Sequence, residues 1–290
     1  MTAAGLVKAW EARGTRVSVG ADTVFVCDVP ARTPSTADPL LVLHGFPTCS
    51  FDFRLVVDAL AADRRVILLD FLGFGLSDKP DRRYGIRMQA DAVEAVARAL
   101  GLESVALLTH DMGDTVGGEL LARSLDGTLP FAISQRVLTD GSIYIDMAHL
   151  TAGQQMLLAI ADAASDVVSA DTFRSGFTRT FAPESKVDPD EIDAIGLLAA
   201  HHDGLRLLPR TIRYIEDRRH EEDRYTGAIE THASPLGVVW GAEDPVAILA
   251  MTDVLHLARP DAPITVLDGI GHYPMLEAPD RFAAAVRALL

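Results

Sequence analysis

The run VALLTHDMGDTVGGELL, Val105 to Leu121, decides how the rest of the chain is read. Its first four residues are apolar, as in a strand buried on both faces of a parallel sheet. From Met112 onward, Val116, Leu120 and Leu121 fall at helical spacing. Between the two lies a turn centred on Asp111, with Thr109 and Gly113 two places to either side. A strand that turns sharply into a helix around one polar residue is a nucleophile elbow. The turn projects the central side chain and aims the next N–H at the same point. Here the central residue is an aspartate, and Thr109 stands where a glycine is usual. The plainer alternative is that Asp111 only caps the helix.

Outward from this run, short apolar segments alternate with amphipathic ones. Residues 15–20 and 23–29, Leu40–His44 and Arg65–Asp70 precede it as strands, with helical spacing over Phe51–Ala62 and Ile86–Leu100. Gln135–Thr139, Leu236–Trp240 and Ile264–Leu267 follow as strands, and a helix from about Asp280 to Leu290 ends the chain. That alternation predicts an α/β fold with a mostly parallel sheet. From Asp140 to about Ser234 it stops. Helices are expected at 151–169, 171–181, 189–202 and 206–219, punctuated by Gly176, Pro183, Pro189, Gly204 and Pro209. The organisation expected is a core over 1–140 and 234–290, with a helical cap over 141–233 above the carboxyl edge of the sheet. The charged run Glu216–Arg224 reads as a solvated helix face.

Composition narrows the function classes. The 290 residues suit one large α/β domain or a core with an inserted subdomain. A net charge of −15, from 26 basic and 41 acidic residues, argues against nucleic-acid or anionic-lipid partners. Cys27 and Cys49 make no disulfide framework. With no signal-like apolar segment at the N-terminus and no long apolar run, a cytoplasmic location is expected. His201-His202-Asp203 lacks a third ligand at helical spacing, so no metal is expected.

Ligands of open parallel sheets bind at the carboxyl ends of the strands. There stand His44-Gly45-Phe46-Pro47, with a candidate cis bond before Pro47, then Thr109–Gly113, Gly241–Pro245 and Asp268–Pro274. The order Asp111, Asp244, His272 is nucleophile, acid, histidine. Four such segments in order are far more specific than any one alone.

These residues resemble the α/β-hydrolase superfamily. The elbow, the His44–Pro47 segment and Leu68–Asp78 are similar to its aspartate-nucleophile branch, the epoxide hydrolases and haloalkane dehalogenases. His110–Asp114 and Gly271–Pro274 look most like the mesoderm-specific-transcript group. The resemblance implies that Asp111 forms a covalent ester, which water activated by His272, oriented by Asp244, then hydrolyses. The Phe46 and Met112 N–H groups would form the oxyanion hole. Asp140, after the 135–139 strand, is the alternative acid. No cofactor is implied, and the substrate would be a small apolar electrophile.

Leaving-group chemistry separates the two reactions. A halide needs N–H donors, yet Met112 follows the nucleophile, and Trp10 and Trp240 read as packing residues. An epoxide oxygen needs a proton, and Tyr214, expected at the end of the last cap helix, is the candidate ring-opening acid. The first cap helix contains no tyrosine, and Tyr144 just before it is a possible second donor. Epoxide opening is therefore the expected reaction. A dehalogenase with an atypical halide site, or a ligand-binding relative with little turnover, are the alternatives.

Overall fold

The computed structural model describes residues 1–290. Eight strands form one sheet: β1 (Gly14–Val19), β2 (Asp22–Val29), β3 (Leu40–Leu43), β4 (Val66–Leu69), β5 (Ser104–His110), β6 (Ala132–Thr139), β7 (Leu236–Gly241) and β8 (Ile264–Leu267). Their order is β1-β2-β4-β3-β5-β6-β7-β8. β2 runs antiparallel to β1 and β4, and every other pairing is parallel. β3, β4 and β7 are buried along their whole length, as the continuous apolar runs require of strands covered on both faces.

The core helices are α1 (Ala3–Glu11), α2 (Val57–Leu60), α3 (Ile86–Ala99) and α4 (Met112–Leu125). The segment between β6 and β7 carries no strand. It holds α5 (Ala152–Ala159), α6 (Ala170–Thr178), α7 (Pro189–Ala200), α8 (Leu208–Thr211), α9 (Tyr214–His220) and α10 (Glu222–Thr231). After β7 come α11 (Ala250–Ala258), α12 (Pro274–Glu277) and α13 (Pro279–Leu289).

Several elements depart from the sequence expectation. Residues 51–62 are a 3₁₀ turn at Ser50–Phe53 and the single turn α2, not one helix. The reason lies in β4's end: the Asp70 carboxylate accepts the Ser50 N–H (2.9 Å) and hydroxyl, fixing the turn from outside. The helix expected over 151–169 stops at Ala159. Arg213 takes the carbonyls of Leu157 (3.2 Å), Leu158 (3.1 Å) and Ile160, so the chain leaves the helical path there. The expected helix 206–219 is split into α8 and α9, so Tyr214 opens a helix rather than closing one. The additional helix α10 packs along α4, so closely that a side chain at Gly118 would meet the Tyr225 carbonyl at 2.7 Å.

The charged run 216–224 is a seam between α9–α10 and the core, not a solvated face. Arg83 reaches Glu216 (3.1 Å) and Asp217 (3.2 Å), Arg87 reaches Glu221 (3.0 Å), and Arg224 reaches Glu119 (2.6 Å). Arg218 turns fully inward, onto the Thr115 hydroxyl (2.9 Å) and the Ser142 carbonyl (2.8 Å). Trp10 and Trp240 are both buried, and the Trp240 indole donates to the Ala247 carbonyl at 2.8 Å. No helix is long and apolar enough to cross a membrane.

Candidate active site

Asp111 sits between β5 and α4 with φ 50° and ψ −113°. Such a backbone costs on the order of 1–3 kcal/mol and persists only where packing enforces it. The enforcement is local: a side chain at Gly113 would meet the Leu43 carbonyl at 2.4 Å, and one at Gly45 would meet Asp111 Cβ at 2.7 Å. The elbow and the β3 end are thus pressed together, which only glycines permit. Thr109 is tolerated at the first small position because Gly117 faces it on α4.

The Asp111 side chain makes no helix-capping bond. Its Oδ2 accepts the Phe46 N–H at 2.8 Å instead. Met112 opens α4, so its N–H has no intrahelical acceptor. The Phe46-Pro47 bond is cis. The His44 imidazole steadies this loop: Nδ1–H donates to the Gly45 carbonyl (2.8 Å), and Nε2 accepts the Phe71 N–H (2.9 Å). Burial lowers its proton affinity, as that neutral tautomer requires.

His272 points Nε2 at Asp111 Oδ1 (3.9 Å) and Nδ1 at Asp244 Oδ2 (2.7 Å). Asp244 is itself fixed, since its Oδ1 accepts the N–H groups of Val246 (2.7 Å) and Ala247 (3.0 Å). Burial would pull the imidazole's proton affinity down, but the charge and hydrogen bond of Asp244, aided by Asp111, raise its pKa to about 9. Asp140 does not contact His272. Its Oδ1 accepts the Gly241 N–H at 2.8 Å, and its Oδ2 has no partner. Burial first, then the adjacent Asp244, raises its pKa well above the usual carboxylate range.

Tyr214 is buried, its ring tilted against Phe46 (5.6 Å between rings) with the Arg218 guanidinium 5.0 Å from its ring. Burial and the charge of Asp111 raise its pKa, so the phenol holds its proton. Tyr144 is not a second donor here: its hydroxyl is spent on Glu230 at 2.8 Å.

A largely apolar cavity, open to solvent, reaches His272, Tyr273 and Phe46. α5 and α6 supply about half of its wall, including Met156, Leu157, Phe173 and Phe177. None of its lining residues carries a formal charge apart from His272. His201 and His202 stack on each other (3.9 Å), and nowhere do three ligand-type side chains gather as a metal would need.

Three groups escaped the sequence reading. Glu277 receives the N–H groups of Gly271 (3.0 Å), Tyr273 (3.0 Å) and Ala182 (2.9 Å), tying the His272 loop to the segment after α6. Asp52 is buried beside the site, accepting the Thr48 hydroxyl, and burial raises its pKa well above the usual carboxylate range. Tyr273 sends its hydroxyl to the Phe46 carbonyl at 3.2 Å. Only Tyr273 carried a signal, its place directly after His272.

Comparison with known proteins agrees with this geometry at the level of family. LipZ of Mycobacterium tuberculosis, a protein named as a hydrolase, is 40% identical over 286 residues, 98% of each chain. The bovine mesoderm-specific transcript homolog protein is 35% identical over 261 residues, 85% of this chain and 76% of its own. A solved α/β-hydrolase-fold protein from Burkholderia ambifaria superposes with a TM-score of 0.76 at 23% identity, covering 94% of this chain and 96% of its own. The sequence profile described as the alpha/beta hydrolase family matches residues 40–285, and the chain belongs to that family.

Proposed function

We propose that this hydrolase opens epoxides to diols through a covalent ester on Asp111. One observation carries the reading: Asp111 Oδ2 is held by the Phe46 N–H while Oδ1 faces His272, itself paired with Asp244. A carboxylate so held attacks without a base and requires only an electrophilic carbon.

In the first half-reaction Oδ1 attacks a ring carbon, the C–O bond breaks, and the freed oxygen takes the Tyr214 proton. Esterification removes the negative charge of Asp111, one of three acidic groups that raise the proton affinity of His272, with Asp244 and Glu277. The imidazolium then gives its proton to the Tyr214 phenolate and becomes a base. In the second half-reaction His272 takes a proton from water as it attacks the ester carbonyl, and charge developing on Oδ2 meets the Phe46 and Met112 N–H groups. Collapse breaks the bond between Cγ and Oδ1, and the product oxygen takes the proton back from His272. The remaining water proton passes from Asp111 to His272, restoring the ion pair.

The lining supports a small apolar electrophile, since it holds no charged group other than His272. A halide would want N–H donors, but the Trp240 indole is spent on the Ala247 carbonyl and Trp10 packs on Phe51 from α1. Covalent trapping tests the reading. His272→Ala is exposed separately to a panel of epoxides and to bromo- and chloroalkanes, and the intact mass is taken and the adduct mapped. An Asp111 adduct from epoxides alone is expected. An adduct from haloalkanes alone would transfer the assignment to dehalogenation, and none from either would remove Asp111 as the nucleophile for both classes.

A further inference from the structure

Phe46 makes the only contact between the Asp111 carboxylate and the β3 loop that is a hydrogen bond, so the direction of its N–H matters to any chemistry at Oδ2. Two peptide groups set that direction. The group between Gly45 and Phe46 is fixed at its carbonyl by His44. The next group, between Phe46 and Pro47, is fixed at its carbonyl by the Tyr273 hydroxyl.

Tyr273 is suited to act as such an anchor. Its side chain is almost wholly buried, with its ring edge-on to Phe177 (4.8 Å) and packed on His110 (5.0 Å). Its own N–H is tied to Glu277. His110, underneath, donates from Nε2 to the His272 carbonyl (2.8 Å). Burial and the neighbouring His272 push the His110 pKa down to about 3, so the ring stays neutral and this single-donor arrangement is kept.

We propose that Tyr273 is a positioning residue: its hydroxyl holds the Phe46 carbonyl and so aims the Phe46 N–H at Asp111 Oδ2. This rests on Asp111 being the nucleophile. The two half-reactions then respond differently. In alkylation, Oδ1 forms the bond and charge leaves the carboxylate, so the Phe46 hydrogen bond weakens. In hydrolysis, charge builds on Oδ2 and the bond strengthens. A slack Phe46 N–H therefore slows only the second step.

Tyr273→Phe keeps the ring and removes the anchor. It is compared with the wild type and with His272→Ala, using the epoxide that labels His272→Ala most completely. Steady-state rates and quenched-turnover intact mass are the readouts. Expected are kcat and KM falling together by about 10-fold, kcat/KM within twofold of wild type, and most of the enzyme carrying the ester during turnover. Loss of an oxyanion donor outright costs about 10²–10³ in kcat, so a misaimed one should cost less. A merely structural role would lower kcat/KM along with kcat and leave no ester, and that result overturns the proposal while the nucleophile reading stands. No adduct even in His272→Ala overturns both.

Discussion

Asp111 holds a strained backbone and an amide-bound carboxylate at once, and its two oxygens have different fates. If Oδ1 leaves with the product, the replacement oxygen comes from water. A single turnover in ¹⁸O-labelled water, with enzyme in excess, should put the label in the peptide containing Asp111 and leave the first diol unlabelled. Label in the diol instead points to direct attack by water. Asp111→Asn should lower turnover about 10⁴-fold or more with the melting temperature little changed, in a sample checked by mass for deamidation. The two acids near His272 should rank as the geometry ranks them. Asp244→Asn removes the carboxylate that faces Nδ1, whereas Asp140→Asn alters a group that bonds the Gly241 N–H and not His272. Asp140→Asn should retain activity within about 10-fold, and the reverse order would move the acid to Asp140. His272 also links stability to pH. Its folded pKa is raised to about 9 from the ordinary imidazole value of 6.5, so its contribution is fully present below pH 6.5. That contribution is lost as the pH rises through 9. Melting temperatures taken from pH 6 to 10 should fall more steeply in the wild type than in His272→Gln, and parallel curves would contradict the linkage.

The same contrast between near and far partners explains which elements could be read from the sequence. β3, β4, β5 and β7 were legible because strands covered on both faces must be apolar throughout, whatever lies around them. The elbow was legible because its glycines and its strand–turn–helix order are local. The helical segment between β6 and β7 was not. α5 ends where Arg213 arrives from more than fifty positions away, and no pattern within 151–169 announces that. The run 216–224 has the composition of a wet surface, yet its charges find partners on α3, on α4 and in the loop before α3. Arg213 offers a direct test. It is buried and satisfies three carbonyls at the end of α5, so Arg213→Leu leaves those acceptors unpaired. A loss of about 2 kcal/mol is expected. Hydrogen exchange should quicken across residues 152–160 before it does in the sheet. Unchanged protection there would mean that α5 is held by its packing alone.

At the scale of the whole molecule, two features act on a substrate before chemistry begins. One is the net charge of −15, a long-range field that discourages anions everywhere on the surface. The other is the cavity, whose lining offers a substrate no charged partner but His272. Neither the cavity nor its aromatic wall was legible in the sequence, because Phe173 and Phe177 on α6 meet Tyr273 from a segment far along the chain. The two features are separable because salt screens the first and not the second: at 0.5 M the field falls off within about 5 Å, while the cost of stripping water from a buried carboxylate remains. A neutral aryl epoxide and its carboxylate-bearing analogue should therefore differ in kcat/KM by at least about 100-fold. Raising the salt should narrow that gap only a few-fold. Complete recovery of the anionic substrate at high salt would place the discrimination on the surface rather than in the cavity. A large residual gap, reduced by Gln154→Arg at the cavity wall, would locate it in the uncharged lining.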